Sequence, residues 1–205
     1  MRLSPLLSLL AAPLLAGCLI IDAETDMPDQ VTMEMGAHHH GNGPVGYTTM
    51  ALVMNAAGAD IGTARFTEGP MGVLIQIDLL AGSLTPGWHG LHFHAVGSCH
   101  DHGAGFMASS GHLGRGEGVT HGLLSPNGPE AGDLPNLFVP ESGPIRAEIF
   151  THFVTLADHD LGRHRLGLMD ADGAALVIHA SPDDHTSQPV GNAGARVACG
   201  VLARG

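Results

Sequence analysis

Residues 88–100 read WHGLHFHAVGSCH. Leu91, Phe93 and Ala95 alternate with His92 and His94, the period-two pattern of a strand that presents one face to a core. The same period sends both histidines to the opposite face, side by side. Two readings fit such a pair: a solvated strand face carrying two imidazoles, or two ligands of one metal ion. Cys99 then places a thiol at the end of the stretch.

Outward from this strand, short apolar or alternating runs recur between turn signals. YTTMALVMNAAGADIGTARFTEG (47–69) reads as a hairpin turning at Gly58-Ala59-Asp60, and GVLIQIDLLAG (72–82) as a further strand. IRAEIFTHFVTL (145–156), AALVIHA (174–180) and ARVACGVLA (195–203) complete the set. Between them lies a Gly-, His- and Pro-rich segment, 97–143, with little strand character. This pattern predicts an antiparallel sandwich or barrel, and a segment so long within it is expected to be functional or disordered.

Composition agrees with that class. The 205 residues suit one domain, and 30 glycines, 13 prolines and 4% aromatics favour many turns over a helical bundle. All eight basic residues are arginines against 20 acidic ones, and a net charge of −12 argues against nucleic acid as a partner. Fifteen histidines make metal the first chemistry to test.

The N-terminus reads MRLSPLLSLLAAPLLAGC: one arginine, then an apolar run too short to span a bilayer, then small residues. LAGC (15–18) resembles the bacterial lipobox, so residues 1–17 are expected to be a lipoprotein signal peptide and Cys18 a lipidated anchor on a membrane. An ordinary secretory signal is the alternative; either one exports the chain to a compartment where disulfides form. Leu19 is a hint of the outer membrane, within a periplasmic or envelope location. Residues 18–45 read as a tether, ahead of a domain over 46–205. Met33, Met35, His38, His39 and His40 within it fit either a soft-donor arm that acquires copper or a solvated His-rich linker. Setting Cys18 aside leaves Cys99 and Cys199 as a bridge or as two buried thiols, and export favours the bridge. Such a bridge closes a loop of about 100 residues, for which chain entropy gives ~4.7 kcal/mol before strain.

The long segment contains GHLGRGEGVTHGLLSPNGPEAGDLPNL (111–137), and the C-terminal third contains VIHASPDDH (177–185) and GNAGARVACGV (191–201). Together with GLHFHAVGSC (90–99), this order of motifs resembles the copper/zinc superoxide dismutases, in their bacterial exported branch, over about residues 46–203. The resemblance implies an eight-stranded antiparallel Greek-key barrel, an immunoglobulin-like sandwich, with two long loops holding metals on its outside. It implies copper on His92, His94, His112 and His179, with His112 shared as a bridge to zinc, and zinc on His121 and Asp133 besides. It implies a Cys99–Cys199 disulfide, Arg196 as the anion guide, and Asp183 as the carboxylate that hydrogen-bonds ligands of both metals. The implied activity is copper redox cycling on superoxide, with His112 taking and returning a proton.

One position departs from the family pattern. Where a zinc histidine is expected, three residues before Asp133, this chain carries Glu130. A carboxylate binds zinc at about 2.0–2.2 Å, so Glu130 can complete the site, making it harder and more anionic. His100, His102 and His185 are the alternative donors, while His89, His152, His159 and His164 are taken as surface or core-edge residues. With no lysine in the chain, Arg196 is expected to guide an anion with little help, Arg163 and Arg165 being candidates that the sequence does not place. A copper-binding or copper-delivery lipoprotein of the same fold is the rival function, and a homodimer is a partner the sequence leaves open.

Overall fold

The computed structural model describes residues 45–202, the Arg163 side chain excepted. Cys18, Leu19 and the Met33–His40 arm lie outside the described residues. Eleven strands follow in order: β1 (Thr48–Asn55), β2 (Asp60–Gly69), β3 (Gly72–Leu79), β4 (Gly87–His89), β5 (Leu91–His94), β6 (Leu137–Val139), β7 (Ile145–Thr151), β8 (Val154–Thr155), β9 (Leu166–Gly167), β10 (Ala174–His179) and β11 (Arg196–Leu202). Helical structure among the described residues is confined to 3₁₀ segments of three residues each.

Seven strands form one antiparallel sheet in the order β5-β10-β11-β1-β2-β3-β7. β4 pairs with β6, and β8 with β9 in parallel. β4 and β5 are one strand interrupted at Gly90, whose N–H goes to the Ser181 carbonyl (2.8 Å) and whose carbonyl accepts from His179 (2.8 Å). The first half of that strand pairs with β6 and the second with β10, so it joins the two sheets. Counting it once, and leaving aside the two-residue β8 and β9, gives the eight strands expected. The hairpin turns slightly earlier than predicted, with Asp60 already in β2. There the Asn55 side chain captures the Ala57 and Ala59 amides at 3.0 and 3.1 Å. β6 was hidden inside the segment read as lacking strands because three residues are too few to show a period.

Phe66, Ile75, Leu79, Leu91, Phe93, Leu137, Ile145, Leu176 and Ile178 fill the core, each fully buried. Every residue of β10 is buried, including those pointing away from this core. Ala175 and Val177 lie on that outer face with Cys99, Cys199 and Phe106 in a second apolar cluster. The segment after β5 therefore folds back over the outside of the sheet. Burying Phe106 there is worth roughly 1.5–3 kcal/mol. The Cys99–Cys199 disulfide (Cα–Cα 5.8 Å) ties this segment to β11, as expected.

A second buried polar anchor lies elsewhere, in contacts the sequence did not foretell. The Glu68 carboxylate, 1% exposed, accepts from the Leu156 amide (2.6 Å) and the Thr155 hydroxyl (3.2 Å) and is ion-paired by Arg165. Arg165 also donates to the Val154 and Pro70 carbonyls (3.3 and 3.2 Å). Arg165 is thus committed to a buried carboxylate that needs a cation, which removes it from the candidates to assist Arg196.

Candidate metal centre

Alternation along β5 sends Leu91 and Phe93 into the core and His92 and His94 outward, where the covering segment leaves them 0% and 1% exposed. That segment is laced to the edge of β5: the Leu113 amide donates to Phe93 O (2.9 Å), and the Phe93 amide to Gly132 O (2.9 Å). Gly132 is required here, because a Cβ would collide with the Phe93 carbonyl. These crossings place His112 opposite His94 and Asp133 opposite His92. His179 arrives from the end of β10.

One nitrogen from each of His92, His94, His112 and His179 falls within 4.8 Å of the others. Three of these rings use their second nitrogen as a donor: His92 Nε2 to Asp183 Oδ2 (2.9 Å), His94 Nδ1 to Ser110 O (2.8 Å) and His179 Nδ1 to Gly194 O (3.1 Å). His112 Nδ1 faces Glu130 Oε2 at 3.1 Å. What remains are four buried nitrogens, His92 Nδ1 and the Nε2 atoms of His94, His112 and His179, each without a hydrogen-bond partner. Converging buried lone pairs cost free energy unless something accepts them, and a metal ion does. Burial lowers the proton affinity of His94 to a pKa of about 2 and of His179 to about 3, with neighbouring His112 opposing a second positive charge in both cases. His92 is lowered as well, burial outweighing the Asp183 hydrogen bond. His92, His94 and His179 are thus held as neutral imidazoles, donors suited to copper in either oxidation state.

Next to it, the other nitrogen of His112 opens onto a different environment. His112 Nδ1 lies 3.1 Å from Glu130 Oε2 and 3.7 Å from Asp133 Oδ1; His121 Nδ1 lies 2.7 Å from Asp133 Oδ1 and 3.9 Å from Glu130 Oε2. His92 is also near enough to group with His112, His121 and Asp133 within 4.8 Å, but its Nε2 is already held by Asp183. Burial would suppress the charge on His121, yet hydrogen bonds to Asp133 and Asp183 prevail and lift its pKa to about 10. His112 is raised against the same desolvation by Asp133 and Glu130. Asp133, fixed further by the Gly122 and Glu130 amides (2.7 and 2.8 Å), is held well below the usual carboxylate range despite its burial.

Asp183 couples the halves. Its Oδ2 accepts from His92 and its Oδ1 from His121 Nε2 (3.1 Å) and the His185 amide (2.6 Å). Gly191, at φ 59°, passes so close that a Cβ would overlap the carboxylate. Arg196, at the start of β11, donates to the carbonyls of Phe106 and Ser110 (both 2.7 Å) and to the Ser109 hydroxyl (3.1 Å). It shares the Ser110 carbonyl with His94, which fixes a permanent positive charge beside the all-imidazole half.

The structure thus brings together His92, His94, His112 and His179, and places His112 with His121 and Asp133, Glu130 lying beside this second group. His100 bonds the Ser98 hydroxyl (2.7 Å), His102 faces Ala56 O (3.4 Å) and His185 approaches Asp183 (3.2 Å), so none joins either cluster. His89 corrects its reading as a surface or core-edge residue. It is 2% exposed and spans His179 O (2.6 Å) and Thr85 O (2.8 Å). Its adjacency to β5 in sequence was the available signal.

An all-β barrel carrying two adjacent sites joined through one imidazole defines a dinuclear metalloprotein. The chain belongs to the copper/zinc superoxide dismutase family, whose model, copper/zinc superoxide dismutase (SODC), matches residues 61–202. It is 44% identical over 152 residues to a Cu-Zn superoxide dismutase of Caulobacter vibrioides, covering 74% of this chain and 83% of that one. A Cu-Zn superoxide dismutase of Aquifex aeolicus is 40% identical over 153 residues (74% and 84%). The crystal structure of a SOD-like protein from Bacillus subtilis matches with a TM-score of 0.67 at 32% identity, over 75% of this chain and 97% of that one.

Proposed function

We propose that this chain is a superoxide dismutase, converting superoxide to dioxygen and hydrogen peroxide, with copper on His92, His94, His112 and His179 and zinc on His112, His121, Asp133 and Glu130. The observation that carries the assignment is the convergence of four buried, unpartnered imidazole nitrogens beside a fixed guanidinium. Copper, when bound, supplies the one-electron redox chemistry, and zinc a second, redox-inert charge. The protein's own groups do the rest. Arg196 draws the anion in against a chain of net charge −12. His112 Nε2 holds and releases a proton at the junction of the two sites, while Asp183 keeps His92 and His121 in register. The Cys99–Cys199 disulfide fixes the segment whose carbonyls grip Arg196.

Export with lipid anchoring at Cys18, in the periplasm or cell envelope and on the outer membrane, is part of the same proposal, supported by LAGC at 15–18. So is a homodimer. Trp88 and Phe138 pack at 4.9 Å on the β4–β6 pair yet remain 55% and 51% exposed, an aromatic surface that a second copy would cover. The test is the decay of superoxide with the copper- and zinc-loaded chain. Rapid turnover that chelation abolishes and copper restores is expected. Tight copper binding without turnover would contradict the dismutase reading.

A further inference from the structure

We infer that the second metal site admits manganese(II) as well as zinc, because Glu130 makes it a site of two imidazoles and two carboxylates. The inference rests on the placing of zinc proposed above. Glu130 Oε2 stands 3.1 Å from His112 Nδ1 and 3.9 Å from His121 Nδ1, the same two nitrogens that Asp133 Oδ1 approaches at 3.7 and 2.7 Å. The backbone holds it there. The Glu130 amide donates to Asp133 Oδ2 (2.8 Å), and Arg115 Nε donates to the preceding carbonyl, that of Pro129 (2.8 Å).

Two carboxylates bring two negative charges to this site, against one if position 130 carried an imidazole. Oxygen donors suit hard cations such as manganese, whereas imidazole suits zinc and copper, so exchanging nitrogen for oxygen narrows the advantage of zinc. Manganese also prefers six ligands. The Glu130 side chain is one-fifth exposed while that of Asp133 is fully buried, so the Glu130 side is where water can complete a larger coordination shell. The neighbouring half offers imidazoles alone and is an internal control that stays selective for copper.

The experiment loads the full chain with copper, then titrates zinc chloride and manganese chloride separately against a competing chelator. Bound metal is counted by mass spectrometry, with manganese also followed by its paramagnetic resonance. The wild type is expected to bind one manganese. Glu130→His raises the zinc-to-manganese affinity ratio severalfold, and Glu130→Gln weakens both metals. If Glu130→His does not fold, Glu130→Gln still decides. An unchanged ratio in Glu130→His, or wild-type binding of both metals by Glu130→Gln, overturns the inference. Copper content and superoxide decay measured on the same samples separate its failure from that of the dismutase assignment.

Discussion

The two halves of the metal centre share His112, lie under the same covering segment and are buried to a similar degree, yet they treat protons in opposite ways. In the copper half, burial dominates and leaves His94 and His179 neutral down to pKa values of about 2 and 3. In the zinc half, burial opposes the charged form too, but hydrogen bonds to Asp133 and Asp183 overcome it and lift the pKa of His121 to about 10. Burial alone therefore does not set the character of a buried histidine; the number of carboxylates hydrogen-bonded to it does, one being outweighed at His92 and two prevailing at His121. Backbone carbonyls turn His94 and His179 toward a redox metal without adding charge. Carboxylates make the other half a cation site before any metal arrives.

Asp183 is the residue that belongs to both halves, so removing it breaks the comparison most widely. Asp183→Ala is expected to weaken both metals by about 10–100-fold, the usual cost of losing a partner of metal-ligating histidines. Parallel chelator competitions for copper and zinc measure this. A loss confined to one metal would show that the two hydrogen bonds of Asp183 do not couple the sites.

Arg196 separates attraction of the substrate from retention of the metal. Arg196→Gln is expected to lower the superoxide rate by roughly tenfold and to flatten its dependence on ionic strength. Copper content should stay near one per chain, because Arg196 touches carbonyls and a hydroxyl rather than a ligand nitrogen. Loss of copper would make Arg196 structural.

The smallest effect is on the stability of the chelated protein against pH. His94 and His179 have folded pKa values below the unfolded value of 6.5, so stability is withdrawn as pH falls from 6.5 toward about 3. Asp133 and Asp183, depressed in the folded state, withdraw more as the pH falls below the ordinary carboxylate range. His121, raised to about 10, contributes fully below pH 6.5 and progressively less as pH rises through 10. Thermal unfolding after dialysis against chelator should thus show a maximum near pH 6.5. A melting temperature that climbs from pH 6.5 to 10 would contradict the carboxylate-driven half.

Legibility in the sequence followed the range of the interactions. Period two exposed His92 and His94 directly, and the order of motifs supplied His112, His121, Asp133, His179, Asp183 and Arg196. His89 was misread because its burial depends on the carbonyl of His179, 90 residues away, and on a strand broken at Gly90. The Glu68–Arg165 pair spans 97 residues and carries no local pattern. The place of Glu130 was legible as a substitution, but its approach to both His112 and His121 needed the backbone.

The division of labour between the halves is tested most directly by metal content in two single variants, His94→Ala and His121→Ala. Each is loaded with both metals and counted by mass spectrometry. The account predicts that His94→Ala loses copper and keeps zinc, while His121→Ala loses zinc and keeps copper. Loss of the same metal by both variants, or of both metals by each, would contradict it.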